Sequence, residues 1–194
     1  MHQRAVTPAD FVGRKFRGFG PYGRWVEAMG ATAVAAVTAN DVYEALSQGQ
    51  LDGNVHTVDT LTTMSLADVV GYLLNEPVGL YNGNSMFNLN RAVWDGLTDE
   101  HKRAFLLAAG EGNAYATVTY YADNMALLKE LGPVGVEVVE PSPELKAASA
   151  AFQEQDLATV AKLNREQYGI ADAQEQVEEL QRLVERWEGL VAQI

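Results

Sequence analysis

The chain has 194 residues, 47% of them apolar, and 26 acidic against 14 basic side chains for a formal charge of −12, enough apolar material for one large or two small domains. The acidity is spread without blocks of like charge, which disfavours nucleic acid and anionic membrane surfaces as partners but leaves room for a small acid at one local basic group. Without cysteine there is no disulfide, thiolate metal site or cysteine nucleophile; MHQRAVTPAD holds no apolar signal-peptide core, and no window approaches about 18 consecutive apolar residues.

The first half reads as alternating short strands and helices. Thr7-Pro8-Ala9-Asp10 predicts one helical turn before Gly13, Lys15-Phe16-Arg17 a strand, and Tyr22 to Met29 a helix closed by Gly30. Ala33 to Val37 is a second strand. Thr38 or Asn40 then caps a helix with apolar positions Val42, Ala45 and Leu46, ended by Gly49. Leu51-Asp52-Gly53-Asn54 reads as a turn or short strand, and Thr60 to Leu74 as a weakly patterned helix. This order is that of parallel-sheet α/β proteins.

After a strand-like Val78 to Leu89 the chain is mostly helical. Thr98, over Asp99 and Glu100, caps a helix running to about Leu131, which Gly132-Pro133 stops. Val134 to Val139 is one more strand, and Pro141-Ser142-Pro143 opens a long helix with Ser142 as cap and Gly169 at its end. The last helix, from Asp172, places Val177, Leu180, Val184, Trp187 and Val191 on one seam, short enough to dock on the body of the protein.

Gly18, Gly20 and Gly23 spell G-x-G-x-x-G, but a dinucleotide fingerprint needs an apolar strand ahead of it, and here stand Arg14-Lys15-Phe16-Arg17. Pro21 also removes a backbone donor from the loop. A glycine-loose connection between strand and helix accounts for the spacing. Arg17 is the more informative residue. It ends a strand, where open α/β sheets gather ligands, and guanidinium holds a carboxylate through two parallel hydrogen bonds. His2, His56 and His101 have no metal-ligand spacing, and a Ser65, His56 and Asp59 hydrolase set has no nucleophile elbow. The expectation is a binding protein, not an enzyme, with no cofactor and no metal.

Thr7-Pro8-Ala9-Asp10-Phe11 followed by Gly13-Arg14-Lys15-Phe16-Arg17 resembles the "TPADLKGLKIR" stretch of the solute-binding proteins of tripartite ATP-independent periplasmic (TRAP) transporters. In the same order, Ala28-Met29-Gly30-Ala31 is similar to "ALGA", Asp41 to Gly49 to "EVYTALQTG", Leu51-Asp52-Gly53 to "VDG", and Leu89 to Thr98 to "MNKKFWDSLSP". Tyr168-Gly169 with Trp187 resembles the family's C-terminal pattern.

The resemblance implies a periplasmic-binding-protein-like fold of two α/β lobes, here incomplete at the N-terminus, with long C-terminal helices. Residues 1–76 would form the second ligand-binding lobe, and 77–194 the crossing strand, the remainder of the first lobe and the helical scaffold. It implies periplasmic localisation, a small organic acid as ligand, TRAP membrane subunits as partners, and self-association through exposed first-lobe surface. Arg17 falls on the family's carboxylate-binding arginine. In Asp52-Gly53-Asn54-Val55-His56, His56 takes a ligand-facing position, where it can donate to an oxygen or, protonated, assist a second carboxylate. Asn54, Phe19, Tyr81 and Asn82 are further ligand-binding candidates, and Ala39, replacing a frequent aromatic residue, implies a roomier pocket. The alternative reading is a non-transport helical scaffold derived from this fold.

Overall fold

The computed structural model describes residues 1–76 and 87–191. Its organising unit is a three-stranded parallel sheet with β1 (Lys15–Arg17) between β2 (Thr32–Val34) and β3 (Gly53–Asn54). Phe16 is in register with Ala33 on one side and Gly53 on the other, and Arg17 with Val34 and Asn54. Parallel neighbours need helical crossovers. Here they are α1 (Pro21–Ala28) and α2 (Val42–Ser47).

Two glycine positions explain how closely these pieces approach. A Cβ at Gly53 would lie 2.5 Å from the Phe16 ring, so glycine alone admits β3 beside β1. A Cβ at Gly18 would lie 3.2 Å from the Gly23 amide nitrogen, and one at Gly23 3.2 Å from the Gly18 carbonyl oxygen. The loop of the G-x-G-x-x-G run is therefore tight, not loose: its first and third glycines pack against each other where β1 passes into α1.

Phe16 points into a core with Phe11, Trp25, Val26, Met29 and Leu145; Phe11 stacks on Phe16 with ring centroids 5.2 Å apart and meets Trp25 edge-on at 5.4 Å. A second cluster joins Val42, Leu46 and Leu51 to Leu61, Leu66, Leu131 and Val136. Among the predicted starts and stops, Thr98 caps α5 (Asp99–Glu130), Ser142 caps α6 (Pro143–Tyr168), and Gly169 at φ 68° ends α6. A short α4 (Arg91–Gly96) precedes α5, its cap being the Asn90 side chain.

Several expectations change. Thr60 to Leu74 is not one helix but α3 (Thr60–Thr63), a 3-10 turn at Leu66–Asp68 and strand β4 (Tyr72–Leu74), which pairs in parallel with β5 (Glu137–Val139). Ser65 at φ 52° breaks the helix, and burial of Leu61 and Leu66 in the second cluster outweighs the weak local pattern. The strand after α1 stops at Val34. Asp41, held by the Thr38 hydroxyl at 2.5 Å, occupies the cap position of α2 instead of Thr38 or Asn40. The strand expected at Val78 to Leu89 lies outside the described residues as far as 86, and the chain is irregular from 87 to 90.

The final helix, α7 (Ala173–Val191), packs on α6. Ala173 is buried and the seam residue Val177 half-buried, whereas Leu180 and Val184 of the seam, and Leu183 beside them, are exposed, so these two seam positions are not docked on the body. Helix α5 has no buried residue, and Leu106, Leu107, Tyr115, Val118 and Tyr121 on its successive turns are exposed. Among the described residues no helix is long and apolar enough to cross a membrane.

Candidate anion-binding site

Strand alternation sends Phe16 to the core and its neighbour Arg17 to the opposite face, at the strand's carboxyl end. Arg17 is only 5% exposed. Its Nε donates to the Val37 carbonyl at 2.8 Å, its Nη1 donates to Asn54 Oδ1 at 3.3 Å, and its guanidinium carbon stands 5.3 Å from the centroid of the Phe19 ring. Both β2, through the chain that follows it, and β3 thus fix the side chain. Burial lowers the guanidinium's pKa, yet guanidinium titrates so far above neutrality that the charge stays. Among the described residues no carboxylate pairs with Arg17 and nothing accepts from Nη2.

The segment after β3 carries the rest of the site. The Val55 amide donates to the Arg17 carbonyl at 3.0 Å, and the half-buried His56 follows with Nδ1 3.0 Å from the Thr57 hydroxyl and its ring 6.3 Å from that of the buried Tyr22. Burial, then the Arg17 cation, lowers the His56 pKa, with Asp59 opposing. Burial and the neighbouring guanidinium thus both favour the neutral imidazole, the form that can donate to a ligand oxygen, over the protonated form that would assist a second carboxylate. Phe19, 43% exposed, meets Tyr22 edge-on at 5.9 Å.

Arg17, Asn54, Phe19 and His56 thus lie near one another at the carboxyl end of β1. Ala39 stands exposed two residues past the Val37 carbonyl. Tyr81 and Asn82 lie outside the described residues. Three participants escape sequence reasoning: Tyr22, the Val37 carbonyl, and Tyr120 of α5. The Tyr120 hydroxyl donates to Asp59 Oδ1 at 2.7 Å across 61 positions of chain, a separation that no local pattern signals. Ser65, exposed, belongs to no hydrogen bond with His56 or Asp59 through its hydroxyl. Among the described residues no group of His, Asp and Glu is placed to hold a metal ion.

The chain matches the model of the bacterial extracellular solute-binding protein family 7 over residues 3–163 and belongs to that family. Its fold is shared with solved TRAP solute-binding proteins. One, from Bordetella bronchiseptica RB50 and crystallised with copurified calcium and picolinate, is 20% identical, with a TM-score of 0.71 over 99% of this chain and 57% of its own. A Bordetella pertussis extracytoplasmic solute receptor binding pyroglutamic acid is 19% identical, with a TM-score of 0.71 over 93% of this chain and 57% of its own. A periplasmic solute-binding protein from Rhodoferax ferrireducens with bound malonate is 19% identical, with a TM-score of 0.69 over 95% and 58%. No curated protein matches by sequence. The chain thus spans 57% of the length of the first of these structures and adopts an incomplete form of their two-lobe α/β fold.

Proposed function

We propose that the chain binds a small organic acid in the periplasm, holds its carboxylate on Arg17, and serves a TRAP-type membrane transporter. The observation that carries this reading is a nearly buried guanidinium whose protein partners are a carbonyl and an amide oxygen, with no carboxylate among the described residues. A cation withdrawn from water is costly until an anion meets it. Residues 1–76 serve as the arginine-bearing lobe. Residues 77–194 supply the crossing segment, with Tyr81 and Asn82 as ligand contacts, and the helical scaffold. No step of the proposed role calls for catalysis.

Thermal unfolding with a panel of mono- and dicarboxylates and hydroxy and keto acids tests it. A ligand at about 100 times its Kd adds about 2.7 kcal/mol, which for a domain of this size raises Tm by about 5 °C or more. Arg17→Gln removes the shift. Stabilisation that survives this substitution excludes the ion pair.

A second reading is favoured by one observation, the uncovered apolar faces of α5 and α7. In it the chain is a helical scaffold without a ligand. Absence of a shift with every acid, in a chain whose folding is verified, leaves this reading and that of a lobe too incomplete to bind alone, which the same panel on the chain joined to its upstream gene sequence separates.

A further inference from the structure

The ring beside the Arg17 guanidinium has a role of its own, one that rests on the carboxylate reading of that arginine. The guanidinium touches the Val37 carbonyl, the Asn54 side chain and the Phe19 ring; Val37 and Asn54 are half-buried, whereas Phe19 is 43% exposed. Arg17 itself is 5% exposed. Among these contacts Phe19 is the one that faces both the cation and the solvent. Its place follows from the chain. Strand alternation, carried two residues past Arg17, brings Phe19 to the same side, 5.3 Å from ring centroid to guanidinium carbon. The Gly18 amide donates to the Val34 carbonyl at 3.4 Å and the Gly23 amide donates to the Phe19 carbonyl at 3.3 Å, so the backbone that carries the ring is tied to β2 and to α1. A second ring contact, edge-on to Tyr22 at 5.9 Å, steadies it.

We propose that Phe19 is a positioning residue of the anion site: its ring covers the Arg17 guanidinium, keeps water off the cation, and so tightens the ion pair with a carboxylate. Two charges attract more strongly as the dielectric around them falls, so a cover that excludes water strengthens the pair without touching the acid. A phenyl ring suits this place. Its face attracts a cation but carries no charge, so it holds the guanidinium without neutralising it as an aspartate or glutamate would. The contact also uses none of the guanidinium's donors. Nε donates to Val37 and Nη1 to Asn54, and among the described residues Nη2 keeps its hydrogens for an acid.

Modification of Arg17 by phenylglyoxal, followed by peptide mass spectrometry on the full chain, tests this, with the exposed Arg103 of α5 as internal reference. In the parent chain Arg17 reacts more slowly than Arg103. Phe19→Ala speeds the Arg17 reaction at least about fivefold and leaves Arg103 unchanged, whereas Phe19→Tyr, which keeps the ring, keeps Arg17 slow. Acetate, added at constant ionic strength, slows the Arg17 reaction further in the parent, and half-protection of Phe19→Ala takes at least about fivefold more acetate. Far-UV circular dichroism confirms that each variant is folded. A folded Phe19→Ala chain whose Arg17 reacts no faster than the parent's, or which acetate protects as well, overturns the proposal. So does a Phe19→Tyr chain that behaves like Phe19→Ala, since the ring would then not be the cover. Acetate that slows Arg17 in neither chain overturns the carboxylate reading instead, and the rate in Phe19→Ala still decides whether the ring covers the cation.

Discussion

Burial and the Arg17 guanidinium both disfavour a proton on His56, and they outweigh the pull of Asp59. A histidine whose folded pKa is depressed binds fewer protons folded than unfolded between the two values, so its contribution to stability is complete above the unfolded value of about 6.5 and declines as pH falls toward the folded one. Urea unfolding of the unmodified chain and of His56→Gln between pH 7.5 and 5.5 measures this. The unmodified chain loses more stability on acidification than the variant. The Met1 amine, pushed down to about 5 by burial, titrates in both and cancels in the difference. Parallel pH curves would show that His56 is not held neutral. The histidine's position is legible in the sequence, since it follows the Asp52-Gly53 turn by a fixed count. Its protonation is not, because that depends on Arg17, 39 positions earlier, and on the depth to which Tyr22 buries the ring.

Between elements, the strongest tie is Arg24 of α1 to Asp156 of α6. Nε and Nη2 donate to the two carboxylate oxygens at 2.5 and 2.8 Å, and one residue on, Trp25 Nε1 donates to the buried Ser149 hydroxyl at 3.1 Å. Asp156 raises the Arg24 pKa against burial, and its side chain is only 8% exposed. Asp156→Ala leaves Arg24 without its anion. The expected loss is about 2–3 kcal/mol in urea unfolding, below the full cost of a broken buried pair because Arg24 remains 28% exposed. A loss under about 0.5 kcal/mol would place the pair among surface bridges of little consequence. The sequence announces the ends of α5 and α6, through Thr98, Ser142 and Gly169, since capping is a local contract between neighbours. It does not announce this pair, 132 positions apart, or β4 within Thr60 to Leu74, because both arise from long-range packing.

At the scale of the molecule, charge and coverage matter. On the proposed carboxylate reading, a net charge of −12 repels an incoming anion at long range, while Arg17 attracts it at contact, where salt screens little. Raising ionic strength from 10 to 150 mM shortens the screening length from about 30 to about 8 Å and removes mainly the repulsion. The association rate of a monocarboxylate, followed by stopped-flow tryptophan fluorescence, is expected to rise by about twofold. A steep fall would point to a wider basic approach than Arg17 alone. The family's architecture is legible from short motifs in register, and the resemblance already implies exposed first-lobe surface; which turns of α5 and α7 stay uncovered is not legible, because it depends on long-range packing.

The middle place of β1 in its sheet has one more effect. Side chains alternate along a strand, so Phe16 in the core and Arg17 on the opposite face are a single choice. A slip of one residue against Thr32–Val34 and Gly53–Asn54 would drive a guanidinium among Phe11, Trp25 and Val26 and swing a phenyl ring to the opposite face. Such a molecule is unstable and, on the proposed reading, blind to acids. On the carboxylate reading, recognition of the ligand therefore proofreads the threading of the sheet, and a mutational path that alters the one cannot leave the other untouched.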